Sequence, residues 1–165
     1  DPEFIASSRA LLITGTHFST DGTYQASKTA IEYAKAAGTK VILDIDYRPV
    51  LWGLTSLGDG ETRFISDDGV SAHLQTILPD LDLVVGTEEE VHIAGGSTDT
   101  ITALKRIREL SDATIVLKLG AQGCTVLDGE IPDSESEFEV FTGVRVEVLN
   151  VLGACLLYTS PSPRD

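Results

Sequence analysis

The residues best suited to chemistry fall at Gly15-Thr16-His17, Asp44 to Arg48, Gly86 to Glu90 and Lys118 to Gly123. Thr87-Glu88-Glu89-Glu90 supports two readings at once. As structure it is a capping box: Thr87 accepts from the Glu90 amide, the Glu90 carboxylate reaches back, and three carboxylates favour a helix N-terminus. As chemistry it puts Glu90 near a hydrated magnesium ion, which binds protein through few carboxylates and mostly keeps water and phosphate ligands. Arg48 follows Asp44 and Asp46, which share a strand face by the two-residue period. Its guanidinium either clamps a carboxylate or hydroxyls of a small anionic substrate or pairs with Asp46. In Leu119-Gly120-Ala121-Gln122-Gly123 the glycines let backbone amides approach an anion, although a tight connection needing positive φ explains the run equally well. In Asn150-Val151-Leu152-Gly153-Ala154 a strand ends in a small-residue turn that prepares a helix N-terminus, whose free amides would stabilise charge on a transferring phosphate.

Other candidates carry less. His17, His73 and His92 lie too far apart for a metal motif, and none has a second histidine four residues on. Trp52 is expected to pack rather than stack on a sugar, and Cys124 to behave as a buried small hydrophobe. Of 165 residues, 12 are basic and 26 acidic, a net charge of −14. The basic residues are scattered singly, which argues against nucleic acid as a partner. No apolar run approaches the roughly 20 residues of a membrane helix, so no membrane partner is expected. With two cysteines and no basic leader, a reducing cytoplasmic setting is expected.

These groups need strands and helices to hold them. Ala10 to Thr14 reads as a strand buried on both faces, and Thr20-Asp21 starts a helix with Tyr24, Ser27, Ile31 and Ala34 on one side, closed by Gly38. Val41 to Leu43 is a second strand. A helix through Val70, Leu74, Ile77 and Leu78 stops at Pro79, and Leu81 to Val85 forms a third strand. Thr87 opens a short helix ending at Gly95-Gly96, Ser97 or Thr98 caps another through Ala103, Leu104, Ile107 and Leu110, and Thr114 to Leu119 is a fourth strand. Cys124 to Leu127 returns beside it. An acidic loop from Asp133 to Glu139 precedes strands near Phe138 to Thr142 and Val144 to Leu149. The alternation predicts an α/β fold with a mostly parallel sheet flanked by helices, and the chemical groups all fall at carboxyl ends of strands, where such sheets bind ligands. Residues 155–165 break the pattern, because Pro161 and Pro163 forbid the helix that should come next. They are expected to be a non-native tail, foreign to the gene.

The pieces Leu12-Ile13-Thr14-Gly15-Thr16-His17-Phe18-Ser19, Asp44-Ile45-Asp46-Tyr47-Arg48-Pro49-Val50-Leu51-Trp52, Val85 to Glu90, Lys118 to Gly123 and Asn150 to Ala154, in this order, resemble the ribokinase-like (pfkB) family of carbohydrate kinases. The resemblance covers residues 1–154 and implies a partial ribokinase-like kinase domain, truncated at both ends. It implies ATP and Mg2+ as cofactors, a small-molecule sugar acid as substrate, and transfer of phosphate to a primary alcohol. By the same resemblance, Arg48 matches a substrate-contacting arginine of related sugar-acid kinases. Glu90 matches the glutamate of an Asn-x-x-Glu motif that influences magnesium and phosphate binding, with Thr87 where that motif has asparagine. Lys118, Gly120 and Gly123 match the segment beside the nucleotide phosphates. Gly153 and Ala154 match the opening of a Gly-Ala-Gly-Asp signature, whose amides form an anion hole and whose aspartate is the general base. Here Cys155 and Leu156 follow instead. Leucine cannot accept a proton, so the chain is expected to lack kinase activity. The family's substrate lid is expected to be missing, and because the family often pairs through that lid, a homo-oligomer stays open for the intact protein.

Overall fold

A computed structural model describes residues 1–56 and 62–144. Asp1 caps a first helix, α1 (Pro2–Ala6), accepting from the Glu3 and Phe4 amides, and Pro2 occupies the turn where no amide is needed. There follow β1 (Ala10–Thr14), α2 (Asp21–Ala37), β2 (Lys40–Asp44), α3 (Asp68–Gln75), β3 (Leu83–Thr87), α4 (Glu88–Gly95), α5 (Thr100–Leu110), β4 (Thr114–Lys118), β5 (Cys124–Leu127) and β6 (Val140–Phe141). Helix α2 has the expected extent: Ser27, Ile31 and Ala34 recur at helical spacing on its buried side, and Gly38 closes it.

Boundaries differ where local polar chemistry competes. Helix α3 stops at Gln75, and Pro79 sits in a separate 3-10 turn, Leu78–Asp80. Strand β3 begins at Leu83 rather than Leu81. The cap of α5 is Asp99, not Ser97 or Thr98: its Oδ1 accepts from the Thr102 amide at 2.8 Å, while the Ser97 hydroxyl accepts from the Asp99 amide. An ionised carboxylate is the stronger acceptor for a helix amide. The strand expected over 138–142 is reduced to Val140–Phe141, after a 3-10 turn at Glu135–Glu137. The strand expected from Val144 to Leu149, the Asn150 to Ala154 turn and the tail at 155–165 fall outside the described residues but for Val144, which lies in no strand.

Among the described residues the sheet has six strands in the order β1-β2-β3-β4-β5-β6; β1 to β4 run parallel, while β5 and β6 are antiparallel additions. This is the expected mostly parallel sheet flanked by helices. Each parallel connection leads to the next strand, and because such crossovers are right-handed, all the helices between them fall on one side. Burial agrees. Ile13, Val41, Leu43, Val84, Ile115, Leu117 and Leu127 alternate onto one face and are buried with Ile31, Leu74, Val91, Leu104 and Ile107 of the helices. The expectation of strands buried on both faces is therefore corrected. On the other face the register aligns Leu12 with Ile42, and Val85 with Val116 and Val126; Leu12 is 63% and Val126 43% exposed. Among the described residues no helix is long and apolar enough to cross a membrane.

One-sided burial predicts opposite responses from neighbours in β1. Leu12→Lys should change unfolding free energy by no more than about 0.5 kcal/mol, as for a surface site. Ile13→Ala should cost about 2–4 kcal/mol through lost burial and a cavity. Urea denaturation of both variants checks this, and a large loss in Leu12→Lys would mean that the open face is covered.

Candidate functional site

All four chemical groups do emerge at one rim, the carboxyl ends of β1 to β4. Thr14 is level with Asp44, Asp44 with Val85, and Thr87 with Lys118. By the two-residue period, Thr14, Asp44, Thr87 and Lys118 all point to the face the helices leave open, while Ile45, Gly86 and Leu117 turn inward. Gly15 lets the rim close tightly: a Cβ there would lie 2.0 Å from the Ile45 carbonyl oxygen.

Lys118 ties the rim together. Its Nζ lies 3.3 Å from Asp44 Oδ1 and 3.4 Å from Glu90 Oε2. Glu90 is in turn held by the expected capping box, with Oε2 accepting from the Thr87 amide at 2.7 Å and Thr87 Oγ1 accepting from the Glu90 amide at 3.4 Å. The structural reading of Thr87 to Glu90 is therefore realised. At N3 the carboxylate also lies in the positive end of the α4 dipole.

Arg48 makes the pairing that was one of its two readings: its Nε donates to Asp46 Oδ1 at 3.0 Å. Asp46 is the one non-glycine residue with positive φ among those described, 33°, a conformation more tolerable for aspartate than for most side chains. The neighbours on either side of it are anchored. Ile45 is buried, and the buried Tyr47 donates its hydroxyl to the Ile65 carbonyl at 2.7 Å. Burial, reinforced by the nearby Asp67 carboxylate, pushes the Tyr47 hydroxyl up to about 12.

Among the described residues two cavities open at the rim. One, about 450 Å³, is bordered by Asp44, Asp46, Arg48, Arg63, Glu90 and Lys118. The other, about 390 Å³, is bordered by Glu88, Thr100, Lys118, Gly120, Gln122 and Phe138. Thr87, Glu89 and Lys118 border both, so the two lie side by side. The buried Thr100 hydroxyl donates to Glu88 Oε1 at 2.8 Å and meets His92 Nε2 at 3.1 Å, fixing one wall of the second cavity. Gly120 lines that cavity, but the Gly123 amide is closed on the Gly120 carbonyl at 3.1 Å. With φ of 111° and a Cβ position 2.0 Å from the Phe141 carbonyl oxygen, Gly123 is required by the turn and by β6.

The remaining candidates are not drawn together. His17 is exposed, and His73 packs against Tyr24 and Trp52, which gives Trp52 its expected packing role. Cys124 is half-buried on the open face rather than buried, because β5 has no layer over that side. Gly153 and Ala154 lie outside the described residues. Arg63 and Thr100 border the cavities and were not singled out from sequence; Arg63 sits in a stretch without period, where nothing in the pattern could mark it. Among the described residues no three histidine, cysteine or acidic side chains converge on a metal position. The Glu90 carboxylate at the rim fits an ion that takes one or two carboxylates and fills its shell with water and phosphate.

No family model matches the sequence. A 5-dehydro-2-deoxygluconokinase of Photobacterium profundum is 31% identical over 131 residues, covering 76% of this chain and 36% of the relative. Another, from Shouchella clausii, is 31% identical over 126 residues, covering 74% and 35%. Among solved structures, a PfkB protein from Polaromonas sp. JS666 superposes with a TM-score of 0.64 at 24% identity, over 88% of this chain and 44% of that one. A fructokinase from Vibrio cholerae O395, solved with fructose, ADP and a calcium ion, gives 0.67 at 20% identity, over 89% and 42%. The fold is ribokinase-like, and in sequence the chain is similar to carbohydrate kinases of the pfkB/ribokinase-like kind. It spans 36% and 35% of the length of the two curated relatives.

Tyr47 gives the site a measurable alkaline signature. Its hydroxyl rises from 10.0 to about 12 on folding, so the stability it contributes is fully present below pH 10 and is lost as pH rises through about 12. Ultraviolet titration should show one tyrosine ionising late, and Tyr47→Phe should remove that step and flatten stability over the same window. A late step that survives in Tyr47→Phe would refute the assignment.

Proposed function

We propose that this chain is part of an ATP-dependent kinase that phosphorylates the primary hydroxyl of a keto-sugar acid, with 5-dehydro-2-deoxygluconate as the substrate. The observation that carries the reading is the adjacency of the two rim cavities, which share Lys118, Thr87 and Glu89. Direct transfer between two bound molecules needs them side by side, with positive charge where they meet. The cavity bordered by Arg48 suits the sugar acid, whose carboxylate matches a guanidinium fork. The cavity beside Gly120 suits the nucleotide. Lys118, at the junction, would neutralise charge on the group in transit. Glu90 would hold Mg2+, which would supply charge neutralisation for the nucleotide phosphates.

The curated relatives' name supports 5-dehydro-2-deoxygluconate over 2-keto-3-deoxygluconate; both carry a carboxylate, so Arg48 does not separate them. One observation favours binding without turnover: Leu156 stands where the family pattern has its proton-accepting aspartate. Calorimetric titration of the 165-residue chain should give heat with both Mg-ATP and the sugar acid, and a coupled ADP-release assay should stay at the no-enzyme background. Absence of heat with either ligand would overturn the binding assignment. Sustained ADP release would overturn the inactivity.

A further inference from the structure

The cavity at Asp44 and Arg48 holds a cation that neither the sequence pattern nor the family resemblance singled out. Arg63 borders it together with Arg48 and Lys118, three of the 12 basic residues in the chain. The other two are already engaged: Arg48 Nε by Asp46, and Lys118 by Asp44 and Glu90. Among the described residues Arg63 makes no ion pair, which leaves its guanidinium uncommitted.

Its backbone is tethered to the Arg48 segment. Tyr47, adjacent to Arg48, donates to the carbonyl of Ile65, two residues beyond Arg63. Phe64 packs edge-on to the His92 ring, with centroids 6.0 Å apart, and Asp67 caps α3 by accepting from Val70. One hydrogen bond thus couples the two arginine-bearing segments across the cavity.

Charge bookkeeping gives Arg63 its role. Four carboxylates, Asp44, Asp46, Glu89 and Glu90, face three cations, Arg48, Arg63 and Lys118, a balance of 3 − 4 = −1 before any ligand enters. A carboxylate ligand would meet repulsion from that side and needs a guanidinium not already neutralised. Building on the kinase reading above, we propose that Arg63 is a second carboxylate-binding residue, which with Arg48 selects sugar acids over neutral sugars. Arg48 has one edge committed to Asp46, so Arg63 supplies the second set of N–H donors, and two guanidiniums can satisfy both carboxylate oxygens.

Calorimetry on the full 165-residue chain tests this with three probes: 5-dehydro-2-deoxygluconate, the neutral analogue carrying a hydroxymethyl group in place of the carboxylate, and Mg-ATP. Arg63→Gln should weaken binding of the acid by about tenfold or more, as for a lost charge-assisted hydrogen bond, and leave the other two probes unchanged. Arg63→Lys, which keeps the charge without the fork, should fall between. An unchanged acid affinity in Arg63→Gln, equal losses for acid and neutral analogue, or a loss confined to Mg-ATP would each overturn the proposal. If the unsubstituted chain binds no sugar acid, the kinase reading fails as well; if it binds the acid and Arg63→Gln binds it equally, only the role of Arg63 fails. Arg63 is exposed, so both variants should keep the circular dichroism of the parent.

Discussion

The ammonium of Lys118 lies between two carboxylates, Asp44 on the second strand and Glu90 on the helix after the third, and it joins three elements that are far apart in the chain. These partners are 39%, 40% and 14% exposed, so the pairs contribute little to stability. Their effect is on position. Glu90 is already fixed by its capping box, and Lys118 therefore marks the boundary between the two cavities rather than sweeping through either. Under the kinase function proposed above, a phosphoryl group passing between them would encounter a cation whose place is set before ligands arrive, the condition under which electrostatic stabilisation costs no reorganisation.

That arrangement depends on which sheet face the helices cover. Strands joined to their immediate neighbours by right-handed crossovers keep the helices on one side, and the core forms there from Val41, Leu43, Val84, Ile115 and Leu117. The alternate residues, Asp44, Thr87 and Lys118, are then free to be polar. Stability and chemistry divide along the two faces of the same strands, with the period of two as the physical link. Arg48 and Arg63 come from loops beyond the strand ends, held by the Tyr47 hydrogen bond and by the strained turn at Asp46.

Parts of the site were legible in sequence because they are local. The capping box needs only a threonine and a glutamate three residues apart, and the Arg48–Asp46 pair only two residues on one turn. Gly123 was open to two explanations, and its tied amide and its contact with Phe141 belong to the turn. Arg63 could not be read: it lies in an aperiodic stretch, next to a segment whose Ile65 carbonyl is held by the hydroxyl of Tyr47, far earlier in the chain. Cys124 was misjudged for a related reason, since an apolar strand looks the same whether one face or both are covered.

Local spacing by itself determined the alternation of strand and helix, the extent of α2, the capping of α4, and the placing of the chemical groups at strand ends, because each rests on contacts within a few residues. Only the tertiary structure decided the order of the strands, and with it the open face, the partners of Lys118 and the presence of Arg63. Those features depend on which distant segments lie side by side, a choice made by packing and crossover handedness and written in no short run of residues.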